Sequence, residues 1–438
     1  MNYSWKGLVA GLLLSVTISV GAQEKVAVWD FKSCLSYARS QNIQIRKSRV
    51  ASEEGSENVL QAKAERLPSL SFSTSHDYTN HPRPEGGARN SYSGSYALRS
   101  SVSLYNGGKL KKNIQQTELQ SQVRELAVEE AENEIEVAVM QAFVQILYIH
   151  ETVQINANTV EVSKAQWERG KELLAAGSLS QADLAQLEAQ YTSDQYQLVV
   201  ARTSLSTAQL ELKQLLELGI NDRMELSMPE ITEERVLTVL PVKESIYLTS
   251  LGVMPEVKYN RLNVEIAGIE KSRAWSGYLP SLNLSAGVGT AHSSGMGRGF
   301  GTQVRNNWNE SVGLTLSVPI YSNRTNRTAV NLARLNIENA ELDYENVRKG
   351  LLKSIETVYQ DAISAQERFR SAQENLKATG LSFELTQQQF SLGMKNTVEM
   401  LTEKNHFLSA QQELVQAKYM AILNIQLLNF YQGKEMDL

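Results

Sequence analysis

The chain has 438 residues, of which 42% are hydrophobic and 21% charged, and its formal net charge is -5 at pH 7. This length admits two or three ordinary domains or one elongated molecule, and an acidic balance without a basic stripe excludes a nucleic-acid partner. The single cysteine, Cys34, excludes an internal disulfide.

Residues 1–22 have the layout of a cleaved secretory signal. Lys6 precedes an apolar run from Leu8 to Val20, and the small residue Ala22 ends the segment. A short buried helix of a cytosolic protein is the alternative, but the order of basic, apolar and small residues disfavours it. After residue 22 no apolar stretch is long enough to span a bilayer as a helix, so we expect any membrane contact to use strands.

One short motif occurs twice, as LPSLSFSTS at Leu67–Ser75 and as LPSLNLSAG at Leu279–Gly287, 212 residues apart. Other landmarks repeat 216 residues apart: Tyr105 with Tyr321, and Gly177 with Gly393. The second copy therefore carries four extra residues in one loop. We interpret the chain as a tandem duplication, with a first repeat over residues 23–218, a linker over 219–244 and a second repeat over 245–438.

A pair of strands is predicted in each repeat, over residues 69–105 and 281–320, with exposed polar loops at 79–90 and 291–309. Apolar residues alternate with small polar ones, as in a sheet with lipid on one face and water on the other. A half-buried soluble sheet has the same period of two, but these strands come without a separate apolar segment to cover them. The predicted lipid-facing residues are Leu70, Phe72, Leu98, Val102, Leu104, Leu282, Leu284, Leu314, Leu316 and Val318.

Most of the remaining sequence is predicted to be helical. No proline occurs from Glu85 to Met228 or from Ile320 to Leu438, so helices there can run without a break. Apolar residues from Ile135 to Val160, and again from Leu351 to Leu376, step by four and three as in a coiled-coil seam. The predicted helices are about 30–66, 107–176, 180–218, 322–392 and 396–430, with one more before the second strand pair.

The predicted lengths indicate how these parts stack. A helix of about 70 residues is roughly 105 Å long, several times the thickness of a bilayer, so the long helices must project from the membrane. Four strands cannot close a barrel, and open edges cannot lie in lipid. Closure therefore requires several chains, and the arithmetic alone leaves both two and three copies open.

The order of the parts resembles the TolC family of outer-membrane efflux proteins. The resemblance rests on the leader, the LPSL strand, the SLYNGG turn, a long helix, the AGSLSQADL tip and a half-length helix, and then the second set with SVPIYSNR and LGMKNTVEML. It implies a mainly α fold with a small β part, in which duplicated coiled-coil hairpins form an α-barrel. Four strands per chain would contribute to a trimeric, 12-stranded transmembrane β-barrel.

The same resemblance implies a location and partners. The protein would lie in the outer membrane of a Gram-negative bacterium, in contact with its lipid, with a large periplasmic part. It would act as the passive exit duct of a tripartite efflux or type I secretion system, joined to a periplasmic adaptor protein and an inner-membrane pump. A periplasmic coiled-coil adaptor or scaffold is the alternative, since it would also have hairpins and a leader.

The predicted site lies at the two helical tips, where the resemblance implies a narrow periplasmic entrance. Asp183 and Glu399 match the family's acidic tip positions and Lys395 its tip arginine, which implies a Lys395–Asp183 pair between hairpins and a lumenal ring of Glu399. Phe390 and Thr402 depart from the family, because they replace a gating tyrosine and a second acid. The implied adaptor-contact residues are Gly177, Ser178, Gly393 and Met394.

Local sequence offers another interpretation of the same residues. Ser180 with Asp183, and Asn396 with Glu399, have the spacing of a capping box at the start of a helix. Gly177 and Gly393 fit ordinary helix-terminating glycines. The five histidines have no metal-ligand spacing and no catalytic constellation is apparent, so we predict neither an enzyme nor a cofactor.

Overall fold

The computed structural model describes residues 28–82, 89–294 and 297–438. The predicted signal at 1–22 lies outside the described residues. The helices are α1 Phe31–Gln41, α2 Ile43–Ala64, α3 Lys109–Ala175, α4 Gln181–Leu215, α5 Glu233–Val236, α6 Lys243–Val253, α7 Pro255–Trp275, α8 Phe300–Asn306, α9 Thr325–Ser391 and α10 Thr397–Tyr431. The strands are β1 Val28–Trp29, β2 Ser69–Asn80, β3 Asn90–Asn106, β4 Glu225–Leu226, β5 Ser281–Ser293 and β6 Asn309–Ser317.

Two long antiparallel hairpins, α3 with α4 and α9 with α10, dominate the molecule. The long helices α3 and α9 have 67 residues each, and α4 and α10 have 35 each. At the helical rise this makes the long helices about 100 Å in length. The seam positions Val139 and Ile146 of α3, like Leu351 and Ile355 of α9, are almost fully buried.

The helix predicted over residues 30–66 is two helices, because the chain breaks at Asn42. There the backbone is extended (φ -57°, ψ 129°) and the side chain accepts hydrogen bonds from the amides of Gln44 and Ile45, which caps α2. Its amide also donates to the carbonyl of Leu215 at 3.0 Å. A residue that caps well and bonds a neighbouring helix can end a helix without proline.

The long strands form one antiparallel sheet in the order β2-β3-β5-β6. Its register places Phe72, Leu98 and Val288 in one row across three strands, and Val102, Leu284 and Leu314 in another. Rows of apolar residues on one face are what the alternation predicts.

A β-bulge changes the phase at the end of β3. Ser103 pairs with Asn283 but Tyr105 pairs with Leu282, so Leu104 is the extra residue without a partner. Tyr105, not Leu104, therefore takes the place in the row of Leu282 and Leu316. The bulge inserts one residue and so shifts the alternation of the side chains that follow it. Leu104 itself is 53% exposed, and its contact with lipid stays a prediction.

The loop predicted over residues 291–309 contains a helix, α8. The Gln303 side chain accepts a hydrogen bond from the amide of Ser293 at 2.8 Å and donates one to its carbonyl at 3.0 Å, and Thr290 donates to the carbonyl of Val304 at 2.6 Å. These bonds fasten α8 to β5. The described part of this predicted loop therefore contains an ordered helix.

The turns that lead from the sheet into α3 and α9 occupy equivalent positions. Gly107 and Gly108 have positive φ (66° and 80°) before α3, and Asn323 and Arg324, 216 residues later, have positive φ (45° and 67°) before α9. Asparagine tolerates this left-handed region, whereas for arginine it costs about 1–2 kcal/mol. The same turn is therefore kept in both repeats with different residues.

The main apolar core lies where α1, α3 and α10 meet. It contains Phe31, Cys34, Phe143 and Ile422, and it includes Val236 of α5. Strand β1 pairs with β4 in parallel beside it. The segment 219–244, predicted as a linker, thus has short ordered elements and supplies residues to this core.

Candidate functional site

Both helical tips end in the same way. Gly177 follows α3 and Gly393 follows α9 with φ of 73° and 72°, and the amides of Ser178 and Met394 bond back to the carbonyls of Leu173 and Gln389 at 2.8 and 2.9 Å. This is a Schellman motif, for which glycine is favoured because its φ is positive. Met394 is 70% exposed, so the second tip presents an apolar side chain.

The helix that follows each tip begins with a capping residue, Ser180 before α4 and Asn396 before α10. Asn396 accepts a hydrogen bond from the amide of Glu399 at 2.9 Å, and Glu399 accepts one from the amide of Asn396 at 3.1 Å, which is a reciprocal capping box. Ser180 likewise accepts from the amide of Asp183 at 3.1 Å. The Asp183 carboxylate accepts a hydrogen bond from the Ser180 hydroxyl at 2.5 Å and not from the Ser180 backbone amide, so only the second tip has both bonds of a capping box.

Lys395 pairs within its own tip. Its Nζ lies 2.7 Å from Oε1 of Glu399, four residues on, and the expected Lys395–Asp183 pair does not occur within the described part of this chain. The hydrogen bond from Lys395 lowers the pKa of Glu399, with a further contribution from the amide of Asn396. The hydrogen bond from the hydroxyl of Ser180 lowers the pKa of Asp183. Both acids are thus held ionised, as caps are.

The ion pair that joins the hairpins near their tips was not predicted. Lys404 of α10 pairs with Asp194 of α4, and their side chains are 3% and 4% exposed. The sequence indicates this pair through the buried residues of α4, which recur every seven positions and include one charged residue: Leu187, Asp194, Ala201 and Ala208. A charged residue in an apolar repeat marks a specific partner.

The sheet exposes its apolar face. Leu70 is 71% exposed and Phe72 66%, and Leu314, Leu316 and Val318 are also exposed, although Val318 follows the end of β6. The predicted residues Leu98 and Leu104 are exposed, and Val102, Leu282 and Leu284 are half-buried. A contiguous apolar face of this kind marks a surface that another apolar phase or molecule covers.

Aromatic and imidazole rings cluster at the far end of this face. His76 of β2, Tyr92 and Tyr96 of β3, His292 of β5 and Phe300 of α8 lie with neighbouring ring centroids 4.7 to 6.2 Å apart. Tyrosine, which supplies two of these rings, is enriched at the interfacial positions of membrane proteins.

The described residues contain no cluster of three or more histidine, cysteine or acidic side chains arranged to hold a metal ion. Within the same ranges, no helix is both long and apolar enough to cross a membrane.

The molecule has an apolar, exposed sheet at one end and a pair of roughly 100 Å helical hairpins at the other. These two features define a class of protein that reaches from a membrane surface through a wide aqueous space. The family model described as outer membrane efflux protein matches residues 34–217 and 253–432, one segment in each repeat. The chain belongs to this outer membrane efflux protein family, the family of TolC, and it is an outer-membrane protein.

Relatives and solved structures agree with this assignment. The outer membrane protein TolC of Escherichia coli K12 is 22% identical over 393 residues, which cover 88% of this chain and 78% of TolC. The alkaline protease secretion protein AprF of Pseudomonas aeruginosa is 23% identical, covering 68% of this chain and 61% of AprF. The crystal structure of CusC has a TM-score of 0.81 at 16% identity, covering 99% of both chains, and that of Vibrio cholerae VceC has 0.77 at 15%, covering 93% and 97%.

Proposed function

We propose that three copies of this chain form the exit duct of a tripartite efflux or type I secretion system. The observation that carries the proposal is the four-stranded sheet: among the residues that the structure describes, its outer strands β2 and β6 each have an edge without a partner strand, and its apolar face is exposed. In lipid every backbone amide and carbonyl needs a partner, so β6 of one copy must pair with β2 of the next. Three copies give twelve strands and leave a water-filled interior.

The polar face of the sheet would line that interior. Ser71, Ser73 and Ser75 of β2 lie on it, as do Ser285 of β5 and Ser311 of β6. Small hydroxyl side chains leave the lumen open and hydrated. The long hairpins would continue the duct through the periplasm as an α-barrel.

The partners follow from the length of the duct and from the relatives. Roughly 100 Å of helix ends in tips far from the outer membrane, where an adaptor could join the duct to an inner-membrane pump. Gly177, Ser178, Gly393 and Met394 are the proposed adaptor contacts. AprF and the proteases secretion protein PrtF of Dickeya chrysanthemi are named for secretion, which supports an export role.

The tip residues are proposed to narrow the entrance. Asp183, Lys395 and Glu399 would lie around a threefold axis, with three Glu399 carboxylates held in place by their Lys395 partners. Replacing Lys395 with alanine removes one positive charge per chain at the entrance. We expect Asp183→Ala or Lys395→Ala to raise single-channel conductance in planar bilayers, and unchanged conductance with weaker helix ends would leave capping as the role of these residues.

Two adjacent residues of β5 test the proposed orientation of the sheet. Leu284→Lys places a charge on the apolar face, where it costs about 2–4 kcal/mol in the middle of a bilayer. Ser285→Lys places the same charge on the opposite face, in water. We expect the first variant to lose heat-resistant trimers in the outer-membrane fraction and the second to keep them.

The alternative of a soluble periplasmic adaptor or scaffold makes the opposite prediction. It would be recovered in the periplasmic fraction, and Leu284→Lys and Ser285→Lys would behave alike. Recovery of the native chain as a soluble periplasmic protein would contradict the proposed function.

A further inference from the structure

The polar face of the sheet consists almost entirely of small side chains. Among the residues that the structure describes, this face carries serine, glycine, alanine, threonine and asparagine, together with two charged residues, Asp77 of β2 and Arg99 of β3. The other acidic residue of the sheet, Glu310 of β6, belongs to the apolar face, in the row of Leu98 and Val288. Within the described sheet, Arg99 is therefore the one cationic side chain on the face that would line the lumen.

Arg99 lies in the middle of the sheet and away from acidic side chains. It pairs with Ser71 of β2 on one side and with Gly287 of β5 on the other. Asp77 pairs with Ser93, and six residues of β3 separate that level from Arg99, which at the rise of a strand is about 20 Å. Attraction between exposed charges is largely screened over this distance at physiological ionic strength, so Asp77 does not neutralise Arg99.

The neighbours of Arg99 leave its side chain room to reach inwards. The Cγ atom of Arg99 lies 3.6 Å from where a Cβ of Gly287 would be, so the arginine stem crosses a residue that has no side chain. Arg99 is exposed, and it lines one groove of the polar face with Ser71, Ser285 and Ser311. In a hydrated lumen its guanidinium group would meet solutes directly.

We propose that Arg99 is a specificity-determining residue of the duct, because three copies would place three guanidinium groups around the lumen at one level of the membrane. This ring favours the passage of anions over cations, and so favours cargo that carries carboxylate or phosphate groups. The inference rests on the trimeric duct proposed above. It concerns the membrane-spanning sheet and not the helical tips.

The width of the barrel determines how strongly this ring acts. Twelve strands about 4.8 Å apart and tilted by about 40° place the backbone about 12 Å from the axis. Arginines that point inwards bring their charges to within about 10 Å of a solute on the axis, which is the Debye length at 0.1 M salt. Three unit charges at this distance in water enrich a monovalent anion about twofold and deplete a monovalent cation about twofold.

Reversal potentials of the full chain in planar bilayers, measured under a gradient of potassium chloride, test this ring. Arg99→Ser makes the residue like its neighbours and should lower the chloride-to-potassium permeability ratio about fourfold at about 0.1 M salt. Arg99→Lys keeps the charge and should keep the native ratio. At about 1 M salt the Debye length is about 3 Å, so the native chain and Arg99→Ser should give the same ratio. The charges at the helical tips are the same in all these variants and do not contribute to the differences.

Arg99→Cys allows the charge to be changed in a channel that has already inserted. Reaction with a cationic thiol reagent should restore the native permeability ratio, and reaction with an anionic one should lower the ratio below that of Arg99→Ser. Cys34 is fully buried and does not compete for the reagent. Leu98→Cys is the matched control, because Leu98 is the preceding residue and belongs to the apolar face. Charged reagents in the water of the lumen should leave the ratio of this control unchanged.

Three results would contradict the ring. One is an unchanged permeability ratio in Arg99→Ser at low salt, and another is an equal response of Leu98→Cys and Arg99→Cys to the reagents. The third is failure of both Arg99→Ser and Arg99→Cys to form channels, since the charge would then serve assembly and not selection. Failure of the native chain to form channels would instead overturn the proposed function, and would be seen before any variant is compared.

Discussion

Replacing Asn396 with alanine tests whether the start of α10 depends on its cap. The change removes one hydrogen bond, from the amide of Glu399 to the Asn396 side chain at 2.9 Å, and keeps the reverse bond, whose donor is the backbone of residue 396. It also keeps the Lys395–Glu399 pair. Loss of an N-cap costs about 1 kcal/mol, which is about a fivefold change in the local opening equilibrium.

Hydrogen exchange followed by mass spectrometry measures this opening. We expect amide protection in the first turn of α10 to fall about fivefold, with no change at the middle of the helix. Asn405→Ala is the control, since Asn405 is exposed on the same helix and caps nothing. Unchanged protection in Asn396→Ala would refute the capping argument, and a large rise in conductance would show that the cap itself keeps the entrance closed.

Three further predictions concern stability, each measured by urea or thermal unfolding. Gly107→Ala should destabilise more than Gly108→Ala: both residues have positive φ, but a Cβ at Gly107 would lie 2.9 Å from a backbone oxygen, whereas one at Gly108 meets nothing within 4 Å. Burial, and then the charge of nearby carboxylates such as Glu130, raises the pKa of Glu256 above its ordinary value of 4.5. The folded chain therefore holds the proton of Glu256 more tightly than the unfolded chain does, and the free energy of unfolding falls as the pH rises above about 4.5. Glu256→Gln should for this reason raise the unfolding midpoint at pH 7 but not at pH 4. Phe143→Ala should cost about 3–5 kcal/mol, because Phe143 is 1% exposed in the main core; a loss below 1 kcal/mol would contradict its place there.

The sequence predicts best the features that depend on residues repeating at a regular spacing. The seam from Leu351 to Leu376 is a repeat of three and four, and it packs as such because every turn of a long helix repeats the same environment. The alternation around Phe72 and Leu284 likewise predicts the apolar rows of the sheet. Duplication strengthens both patterns, since each occurs twice.

The features that the sequence does not predict depend on contacts between distant segments. Asn42 ends a helix because Leu215, 173 residues away, accepts its side-chain bond. The bulge at Leu104 is a property of the pairing between β3 and β5, and the alternation within β3 alone continues through it. In the single chain Lys395 pairs with Glu399, which lies one helical turn away and is reached more easily than Asp183, while the pair between Lys395 and Asp183 stays a prediction.

The buried cysteine has a practical consequence for experiments on this chain. Cys34 has no exposed surface, and burial, with the charge of Asp30, raises the pKa of its thiol to about 12. At neutral pH almost none of Cys34 is therefore in the thiolate form, which is the form that reacts with thiol-modifying reagents. A cysteine introduced at each tip can therefore carry a spectroscopic label in a chain that keeps its native Cys34. The distance between the two labels then reports movement of the hairpins, and no core residue has to be replaced.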